Sequence, residues 1–288
     1  MTPRSALAPA KINLFLHVGP VDEAGYHPLA SLVAFADVGD RISVAPSDRL
    51  FLTVEGPFAG ALHGADDNLI LRALRALGDV AGLGEPPVAV TLDKRLPIAA
   101  GLGGGSSDAG AALKLTRDLL ALELDDDALA DIAMTVGADG PMCLYARAAW
   151  AEGRGEILTP EPRLPSVPAL LINPGVASPT GEVYRAFDAG PPSLADRPAA
   201  PSSWDAAAVI DWLGRQRNDL QAPAVARAPA IARALDAASI LPDVRLVRMS
   251  GSGATVFALF DTAAAAASAG RSLAKDNPRW WIAPANLG

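Results

Sequence analysis

A cluster of glycines followed by hydroxyl side chains is the stretch of this sequence best suited to bind a phosphate. It covers residues 96–108 and reads LPIAAGLGGGSSD. Glycine lets the backbone adopt positive φ angles and come close to a ligand. Ser106, Ser107 and Asp108 are helix-capping residue types, and apolar residues follow at helical spacing, so a helix is predicted to start there. Because the N–H groups and dipole of a helix start attract anions, the stretch predicts a phosphate-binding loop.

This loop differs from the better-known phosphate-binding motifs. No lysine follows the glycines, which excludes G-x-x-x-x-G-K-[ST], and Ser106 stands where G-x-G-x-x-G requires its last glycine. The H-R-D and D-F-G motifs of protein kinases are also absent from the sequence. A glycine-rich connection in front of an ordinary helix is the alternative that this pattern leaves open.

Lys11 and Asn13 are polar side chains within an otherwise apolar segment near the N-terminus. Residues 8–18 read APAKINLFLHV, and their apolar residues alternate from Ile12 to Val18, which predicts a half-buried strand. Lys11 and Asn13 would share the opposite face of that strand. A solvated lysine is the ordinary interpretation of this pattern, and a catalytic lysine is the alternative.

An aromatic ring and an imidazole stand side by side in a predicted turn, Gly25-Tyr26-His27-Pro28. A tyrosine ring can stack on a flat base, and a histidine can donate or accept hydrogen bonds in the plane of that base. The turn therefore indicates recognition of a flat ring. A tyrosine that only covers the core is the alternative.

Asp139 lies in a second glycine-containing turn, GADGPMCL over residues 137–144. Aspartate is a common turn former, which explains its presence without any function. The functional alternative is a carboxylate that a rigid turn aims at a substrate. Cys143 is the only cysteine of the sequence, so it predicts a small buried residue in a chain without internal disulfide bonds, as in a reducing compartment.

Length and composition exclude several classes of protein. With 50% hydrophobic and 19% charged residues the chain is not disordered, and 288 residues favour two domains. The net charge is −8 and the basic residues are scattered, so we expect no nucleic-acid partner. No apolar run is long enough to span a bilayer, and Lys11 interrupts the N-terminal apolar stretch, so we expect a cytoplasmic protein without a membrane partner.

The predicted elements place the glycine stretch between a strand, residues 88–92, and a helix. Prolines cluster between residues 160 and 168, which predicts an N-terminal domain over residues 1–162 and a C-terminal domain over residues 163–288. A connection rich in proline and serine, residues 188–203, is predicted to be mobile. Other strands are predicted at 32–44 and 50–54, in an antiparallel sheet, and at 169–173, 245–249, 254–260 and 280–283, with further helices at 68–77, 125–135, 178–187 and 225–238.

Three separated segments resemble the signature motifs of one enzyme family, the GHMP small-molecule kinases. They are APAKINLFLHV from residue 8, LPIAAGLGGGSSDAGAAL from residue 96 and RMSGSGATVFALF from residue 248. The resemblance spans nearly the whole chain, and the glycine segment is its most specific part. It implies an α+β fold with an N-terminal mixed-sheet ATP-binding domain and a C-terminal ferredoxin-like α/β sandwich domain.

The resemblance also implies an ATP-dependent phosphotransferase that uses Mg2+ and acts on an alcohol group. Asp139 would be the general base toward the substrate hydroxyl, while Lys11 would hold it ionised and stabilise charge at the reacting oxygens. Residues 251–253 would complete the site from the second domain. The residues that would hold the ATP phosphates are Pro97, Ile98, Ala99, Ala100, Gly101, Leu102, Gly103, Gly104, Gly105, Ser106 and Ser107.

Within the family, the GYH turn, GADGPMCL, WAEGRGE from residue 150 and NDL from residue 218 resemble a subgroup of isoprenoid biosynthesis. The substrate of that subgroup is a cytidine diphosphate derivative. Asn13, Tyr26 and His27 would contact it, with Tyr26 and His27 at the cytosine ring and Tyr184 as a second aromatic side chain against the base. The loop before the GYH turn lacks basic residues, which predicts that backbone donors bind the substrate phosphates.

Departures from the family pattern and competing functions limit this interpretation. Gly140, Met142 and Cys143 stand where the family more often has bulkier side chains, which affects the packing behind Asp139. Another GHMP kinase, acting on mevalonate, homoserine or a sugar, is one alternative, and a nucleotide sensor without catalysis is the other. Lys11 and Asp139 together argue against the sensor. A monomer or a homodimer is expected, and no residue is assigned to the metal.

Overall fold

The chain forms two compact units in a computed structural model that describes residues 2–62, 68–191 and 193–288. The first unit comprises the residues up to 11 together with 38–98 and 103–146, and the second comprises 12–37, 99–102 and 147–288. Strands β1 (Arg4–Val18) and β2 (Leu29–Pro46) pair with each other and each runs through both units. The boundary at residues 162–163 stays a prediction, because packing units and sequence domains need not coincide.

The first unit is a layer of strands covered by helices. Helix α2 (Gly104–Leu120) packs against the other helices of the unit. Ile70, Leu74 and Leu77 of α1 (Leu69–Val80) are fully buried, because their spacing puts them on one helical face. The elements are β3 (Phe51–Glu55), β4 (Val88–Asp93), α1 (Leu69–Val80), α2 (Gly104–Leu120), α3 (Asp126–Val136) and α4 (Gly140–Tyr145).

The sheet of the first unit is mixed. β4 runs antiparallel to the end of β2, with Leu92 opposite Ile42, whereas β3 runs parallel to β4, with Leu52 opposite Val90. The predicted antiparallel sheet is therefore wrong for β3. A parallel pair needs a long crossover, and the segment between β3 and β4 supplies one that includes α1.

The second unit contains a β-α-β-β-α-β arrangement of the ferredoxin type. Its antiparallel strands lie in the order β10-β7-β9-β8, with α8 packed on β8 and β9 and α9 packed on β7 and β10. The elements are β7 (Val167–Asn173), α5 (Thr180–Asp188), α6 (Ala206–Gly214), α7 (Gln221–Arg227), α8 (Pro229–Ser239), β8 (Val244–Met249), β9 (Val256–Phe260), α9 (Ala263–Asp276) and β10 (Trp281–Leu287). The expected α+β class is confirmed.

A hairpin and an aromatic cluster extend the second unit. The hairpin consists of β5 (Ala149–Gly153) and β6 (Ile157–Pro160), and β5 pairs with β2. Trp150 of β5 meets Phe15 and Trp212 edge-on, with ring centroids 6.1 and 5.8 Å away. These T-shaped contacts join β1, β5 and α6 around one apolar centre.

Arg248 is a buried cation held by carbonyl groups. Its guanidinium donates hydrogen bonds of 2.8, 2.8 and 2.7 Å to Leu14 O, Leu213 O and Gln216 O. Burial lowers the pKa of Arg248 to about 10. Leu213 O lies in the last turn of α6 and Gln216 O lies two residues beyond its end, so Arg248 ties the end of α6 to β1 and β8.

The segment predicted to be mobile makes several hydrogen bonds in its described part, residues 188–191 and 193–203. Asp196 O lies 2.9 Å from His17 Nδ1, Leu194 O accepts from Arg217 at 2.8 Å, and Ala199 O accepts from the Trp212 indole at 2.9 Å. The segment lies in an irregular conformation. Side chains elsewhere in the unit satisfy these backbone carbonyls, in place of the apolar contacts that the composition of the segment cannot supply.

The prediction of several other elements needs correction. The predicted helix 225–238 is two helices, because Ala228 leaves the helical region before Pro229, which starts α8. α6 was not predicted, although Asp205 is a suitable N-cap and accepts from Ala208 N–H at 2.9 Å. β1 and β2 extend beyond their predicted ends. Among the described helices none is long and apolar enough to cross a membrane.

Candidate active site

The glycine segment turns sharply at the start of α2. Gly103 is the N-cap residue of α2 and has a φ of +62°. A β-carbon at Gly103 would lie 3.1 Å from Lys11 Cβ and 3.2 Å from Cys143 Sγ. Glycine is therefore required by the backbone angle and by the close approach of both side chains. Since Gly103 has no side chain to cap α2, the first N–H groups of the helix are left for a ligand or solvent.

The predicted capping role of Ser106, Ser107 and Asp108 is wrong. α2 begins at Gly104, so these residues lie inside the helix and not in front of it. Ser107 N–H donates to Gly103 O at 2.9 Å, and the side chains of Ser107 and Asp108 are buried. Two consecutive glycines thus form the first turn of α2, which leaves its N-terminus open to a bulky anion.

Lys11 and Asp139 form an ion pair within the first unit, with 3.1 Å between Nζ and Oδ2. The lysine side chain is 8% exposed and the aspartate side chain 41% exposed, so the cation is enclosed while the carboxylate opens to the outside. Both faces of β1 are buried from residue 10 to residue 18, and the interpretation of Lys11 as a solvated charge is wrong. Asp139 is the N-cap residue of α4, where Gly140 N–H donates to Gly137 O at 2.8 Å.

The short helix behind Asp139 fits closely against its neighbours. A β-carbon at Gly140 would lie 2.1 Å from Ala133 O, so no larger residue fits between α4 and α3. Cys143 is buried, as predicted, and burial raises the pKa of its thiol to about 12, with a contribution from the Asp139 charge. A thiol with this pKa is not a nucleophile at neutral pH, and Cys143 acts as packing.

A buried cluster of charges lies under the glycine segment in the same unit. Lys94 Nζ is 2.5 Å from Asp40 Oδ2 and 2.8 Å from Asp108 Oδ2. Burial has the largest effect on the pKa of both Lys94 and Asp108. Burial alone would lower the pKa of Lys94, but the two carboxylates outweigh it, so the pKa of Lys94 is raised. Burial raises the pKa of Asp108 to about 7. The sequence prediction missed Asp40 and Lys94 and gave Asp108 only a capping role, although a charged residue inside the apolar strand β2 was a usable signal for Asp40 alone.

In the second unit, residues 99–102 pack against the turn that follows β8. Gly101 has a φ of +72°, and a β-carbon there would lie 2.6 Å from Ser250 O. Ser250 Oγ donates to Gly101 O at 3.1 Å, and Thr255 N–H donates to Ala100 O at 3.1 Å. Residues 250–253 and 99–102 therefore support each other's backbone within this unit.

Asn13 is held in place by two serines of the second unit. Its N–H donates to Ser250 Oγ at 3.1 Å and its side-chain amide donates to Ser31 Oγ at 2.8 Å. Ser31 in turn donates to Phe15 O at 2.6 Å. With Asn13 only 6% exposed, the amide orientation is fixed by the fold.

The predicted ring-binding residues form an aromatic group in the second unit. The His27 ring lies 4.9 Å from the Tyr184 ring and 5.7 Å from the Phe187 ring. His27 Nδ1 lies 2.9 Å from Gly19 O, and His27 Nε2 lies 3.3 Å from Asp188 Oδ1. Because a carbonyl only accepts hydrogen bonds, Nδ1 carries a proton in this contact. His27 and Tyr184 are thus brought together.

Tyr26 makes a different set of contacts from its neighbour in the sequence. Its side chain is 53% exposed, and the Arg154 guanidinium lies 3.8 Å from its ring centroid. Arg154 also lies 3.6 Å from Asp22 in the loop before the GYH turn. Arg154 supplies the positive charge that this loop lacks, and the sequence prediction missed it because the two segments are distant along the chain.

Two family models identify the class of protein to which this chain belongs. The GHMP kinases N terminal domain matches residues 68–147 and the GHMP kinases C terminal domain matches residues 205–279. The chain belongs to the GHMP kinase family, and the fold expected from its motifs is confirmed. It is thus an ATP-dependent kinase of small molecules.

Several similar relatives carry the name of one enzyme. The 4-diphosphocytidyl-2-C-methyl-D-erythritol kinase of Caulobacter vibrioides is 52% identical over 281 residues, which cover 96% of this chain and 97% of that protein. The enzyme of the same name from Dinoroseobacter shibae is 47% identical and covers 99% of this chain and 95% of its own length. A crystal structure of 4-(cytidine 5'-diphospho)-2C-methyl-D-erythritol kinase has a TM-score of 0.78 at 36% identity, with 99% of both chains covered. Homoserine kinase from Cytophaga hutchinsonii, at 19% identity and a TM-score of 0.71, shares the fold.

Proposed function

We propose that this chain transfers the γ-phosphate of ATP to the 2-hydroxyl of 4-diphosphocytidyl-2-C-methyl-D-erythritol, in the non-mevalonate synthesis of isoprenoid precursors. The names of relatives 47–52% identical over almost the whole chain support this substrate. The observation that carries the chemistry is the Lys11–Asp139 ion pair, 3.1 Å long, beside Gly103. We further expect a cytoplasmic monomer or homodimer without a nucleic-acid or membrane partner.

The donor half of the proposed site is the glycine segment. Residues 97–107 would hold the ATP phosphates, with the N-terminus of α2 supplying N–H groups and the positive end of the helix dipole. Gly103, Gly104 and Gly105 keep this approach free of side chains. This mode of binding uses backbone donors, so it needs no lysine of the P-loop type.

Asp139 is the proposed general base. Its carboxylate is partly exposed while its ionic partner is enclosed, so it can accept the proton of the acceptor hydroxyl as that oxygen attacks phosphorus. The Lys11 ammonium would stabilise the carboxylate and the negative charge on the oxygens of the transferred group. Phosphoryl transfer requires alignment and charge neutralisation and no covalent intermediate, which agrees with the inertness of Cys143.

Mg2+ is proposed as the metal. In kinase sites Mg2+ takes most of its ligands from phosphates and water, with few protein groups. The described residues include no group of three or more His, Cys, Asp or Glu side chains able to hold a metal, which fits that mode. The buried Ser107 hydroxyl in the first turns of α2 is the group we propose to approach the metal. When bound, Mg2+ would neutralise charge on the ATP phosphates.

Three ring side chains and one asparagine are proposed to bind the acceptor. Tyr26, His27 and Tyr184 would bind the cytosine ring and Asn13 would bind the polyol part of the substrate. The packing of His27 against Tyr184 supports a flat-ring site, and the fixed amide of Asn13 supports a hydrogen-bonding role. Arg154, stacked on Tyr26, is a further candidate for the substrate phosphates.

Substitution Asp139→Asn tests the proposed chemistry. Removing the base should lower kcat by about 10²- to 10⁴-fold while the affinity for ATP changes little. The measurement is ADP release with a panel of acceptors: 4-diphosphocytidyl-2-C-methyl-D-erythritol, mevalonate, homoserine and galactose.

A matched control is Asp131→Asn, because Asp131 is an exposed aspartate on α3 of the same unit. It should behave as the wild type. Wild-type kcat in Asp139→Asn would remove Asp139 from the mechanism, whereas turnover of another acceptor in place of the cytidine compound would overturn the substrate. ATP binding without turnover of any acceptor would favour the sensor.

A further inference from the structure

Asp40, Lys94 and Asp108 bring buried charges from β2, the end of β4 and α2 to one point. Their exposures are 0%, 3% and 3%. The ammonium of Lys94 lies between the two carboxylates, at 2.5 and 2.8 Å. Two carboxylates and one ammonium are present, and Asp108 Oδ1 has no hydrogen-bond partner among the described residues.

Stability alone is a weak explanation for this cluster. Taking charges out of water is expensive, and apolar residues of similar volume often stabilise a fold at least as well as a buried ion pair. The burial of Asp108 costs additional free energy, because its Oδ1 is buried without a hydrogen-bond donor among the described residues. A buried network of this kind is better explained by what it holds in place.

The network holds both ends of the glycine segment. Asp40 Oδ1 accepts hydrogen bonds from the N–H groups of Arg95 and Leu96, at 2.6 and 2.8 Å, which fixes the chain as it leaves β4. At the other end Asp108 belongs to α2, and a β-carbon at Gly104 would lie 3.1 Å from Lys94 Nζ. The ammonium therefore sits directly beneath the first residue of α2.

We propose that Asp40, Lys94 and Asp108 are positioning residues for nucleotide binding, which fix the entry of the glycine segment and the first turn of α2 so that their N–H groups face the donor phosphates. None of the three touches the reacting atoms. The proposal rests on the proposed role of the glycine segment in binding ATP. Asp40, Lys94 and Asp108 would thus determine the affinity for ATP, whereas Lys11 and Asp139 would carry out the phosphoryl-transfer step.

Substitutions of Asp108 separate positioning from bulk stability. Asp108→Asn keeps an oxygen that accepts from Lys94, whereas Asp108→Leu has a similar size and cannot accept. Loss of a hydrogen bond to a charged group typically corresponds to about a tenfold change or more in an equilibrium constant. We expect Asp108→Leu to raise the KM for ATP about tenfold, while kcat and the KM for the acceptor stay within about twofold of the wild-type values. In Asp108→Asn the KM for ATP should stay within about threefold of the wild-type value.

Asp40→Asn is the second variant, because it disturbs the contacts to Arg95 and Leu96. Hydrogen–deuterium exchange followed by mass spectrometry should show about tenfold faster exchange of the amides in residues 95–104, and the KM for ATP should rise with it. Asp118→Asn is the control, since Asp118 lies on α2, is partly exposed and pairs with Arg117. It should change neither quantity.

The outcomes distinguish this proposal from the proposed function. If the wild type turns over ATP and the Asp108→Leu and Asp40→Asn variants keep its KM for ATP, the network does not position the nucleotide. Equal losses in kcat and both KM values, accompanied by a lower melting temperature, would mean a structural role only and would also overturn it. If the wild type does not use ATP, the proposed function fails. Unchanged amide exchange in both variants would separately overturn the proposal that the network positions the glycine segment.

Discussion

At the scale of single residues, the two aspartates near the glycine segment differ in their surroundings. Asp139 is partly exposed and pairs with one lysine, whereas Asp108 is buried and shares Lys94 with a second carboxylate. Burial raises the pKa of Asp108 to about 7. Asp139 is therefore open to accept a proton as the proposed base, whereas burial favours the protonated form of Asp108.

The titration of Asp108 predicts a specific dependence of stability on pH. A carboxyl group whose pKa is raised from 3.8 to about 7 on folding favours the folded state most below pH 3.8, and this contribution is lost as the pH rises through about 7. The melting temperature of Asp108→Asn minus that of the wild type should therefore increase between pH 4 and pH 8. Scanning calorimetry across this range measures the difference, with Asp118→Asn as the control. A difference that does not change with pH would contradict the raised pKa.

At the scale of elements, α4 shows how packing positions Asp139, the candidate base. Asp139 begins α4, and α4 is pressed against α3 at Gly140, where no side chain fits. The absence of bulk at Gly140 looked from the sequence like a loss of rigidity behind Asp139. The structure shows the opposite, since the glycine permits direct backbone contact between the two helices.

Gly140→Ala tests this packing. The added methyl group collides with Ala133 O, and such overpacking destabilises a fold by about 1–3 kcal/mol. We expect a lower midpoint of urea unfolding together with a lower kcat, because the collision displaces the start of α4. Gly214→Ala is the matched control: a β-carbon at Gly214 meets nothing within 4 Å, so its substitution should stabilise slightly. Equal effects of the two substitutions would argue against the close contact.

The same elements show how far the sequence predicts this fold. Hydrophobic spacing and capping residues identified α1 and α3 correctly, because their signals are local. The predicted start of α2 was wrong, because Gly104 and Gly105 are poor helix formers that tertiary contacts nevertheless hold in a helix. The predicted direction of β3 was wrong, because strand direction depends on partners far along the chain. Local patterns also cannot reveal the cluster of Asp40, Lys94 and Asp108, whose members come from three elements.

At the scale of the whole molecule, each compact unit is assembled from separate pieces of sequence. The glycine segment enters both units within a few residues, at 98–99 and 102–103. The composition break at residues 160–168 gave no sign of this division, since it reflects only local proline content. The family resemblance did predict the candidate site residues, and their roles stay predictions until the variants are measured.

Nucleotide binding should appear as a change in the stability of the whole chain. A ligand that binds only the folded state stabilises it by about 2.7 kcal/mol when present at 100 times its Kd. We expect a non-hydrolysable ATP analogue with Mg2+ to raise the melting temperature, and to do so equally in Asp139→Asn. GTP or inorganic phosphate at the same concentration serves for comparison. No shift with any nucleotide would contradict the assignment of residues 97–107 to the donor.

The burial of Lys11 beside Gly103 has a thermodynamic consequence. A free lysine side chain has about 1.5–2 kcal/mol of rotamer entropy to lose when it is fixed in one conformation. Lys11 loses this freedom when the chain folds, because its side chain is buried beside Gly103 and Asp139 holds its ammonium. In the proposed mechanism ligand binding finds the lysine already ordered, so the attraction between its charge and a phosphoryl group would contribute to affinity and rate without a further entropic penalty.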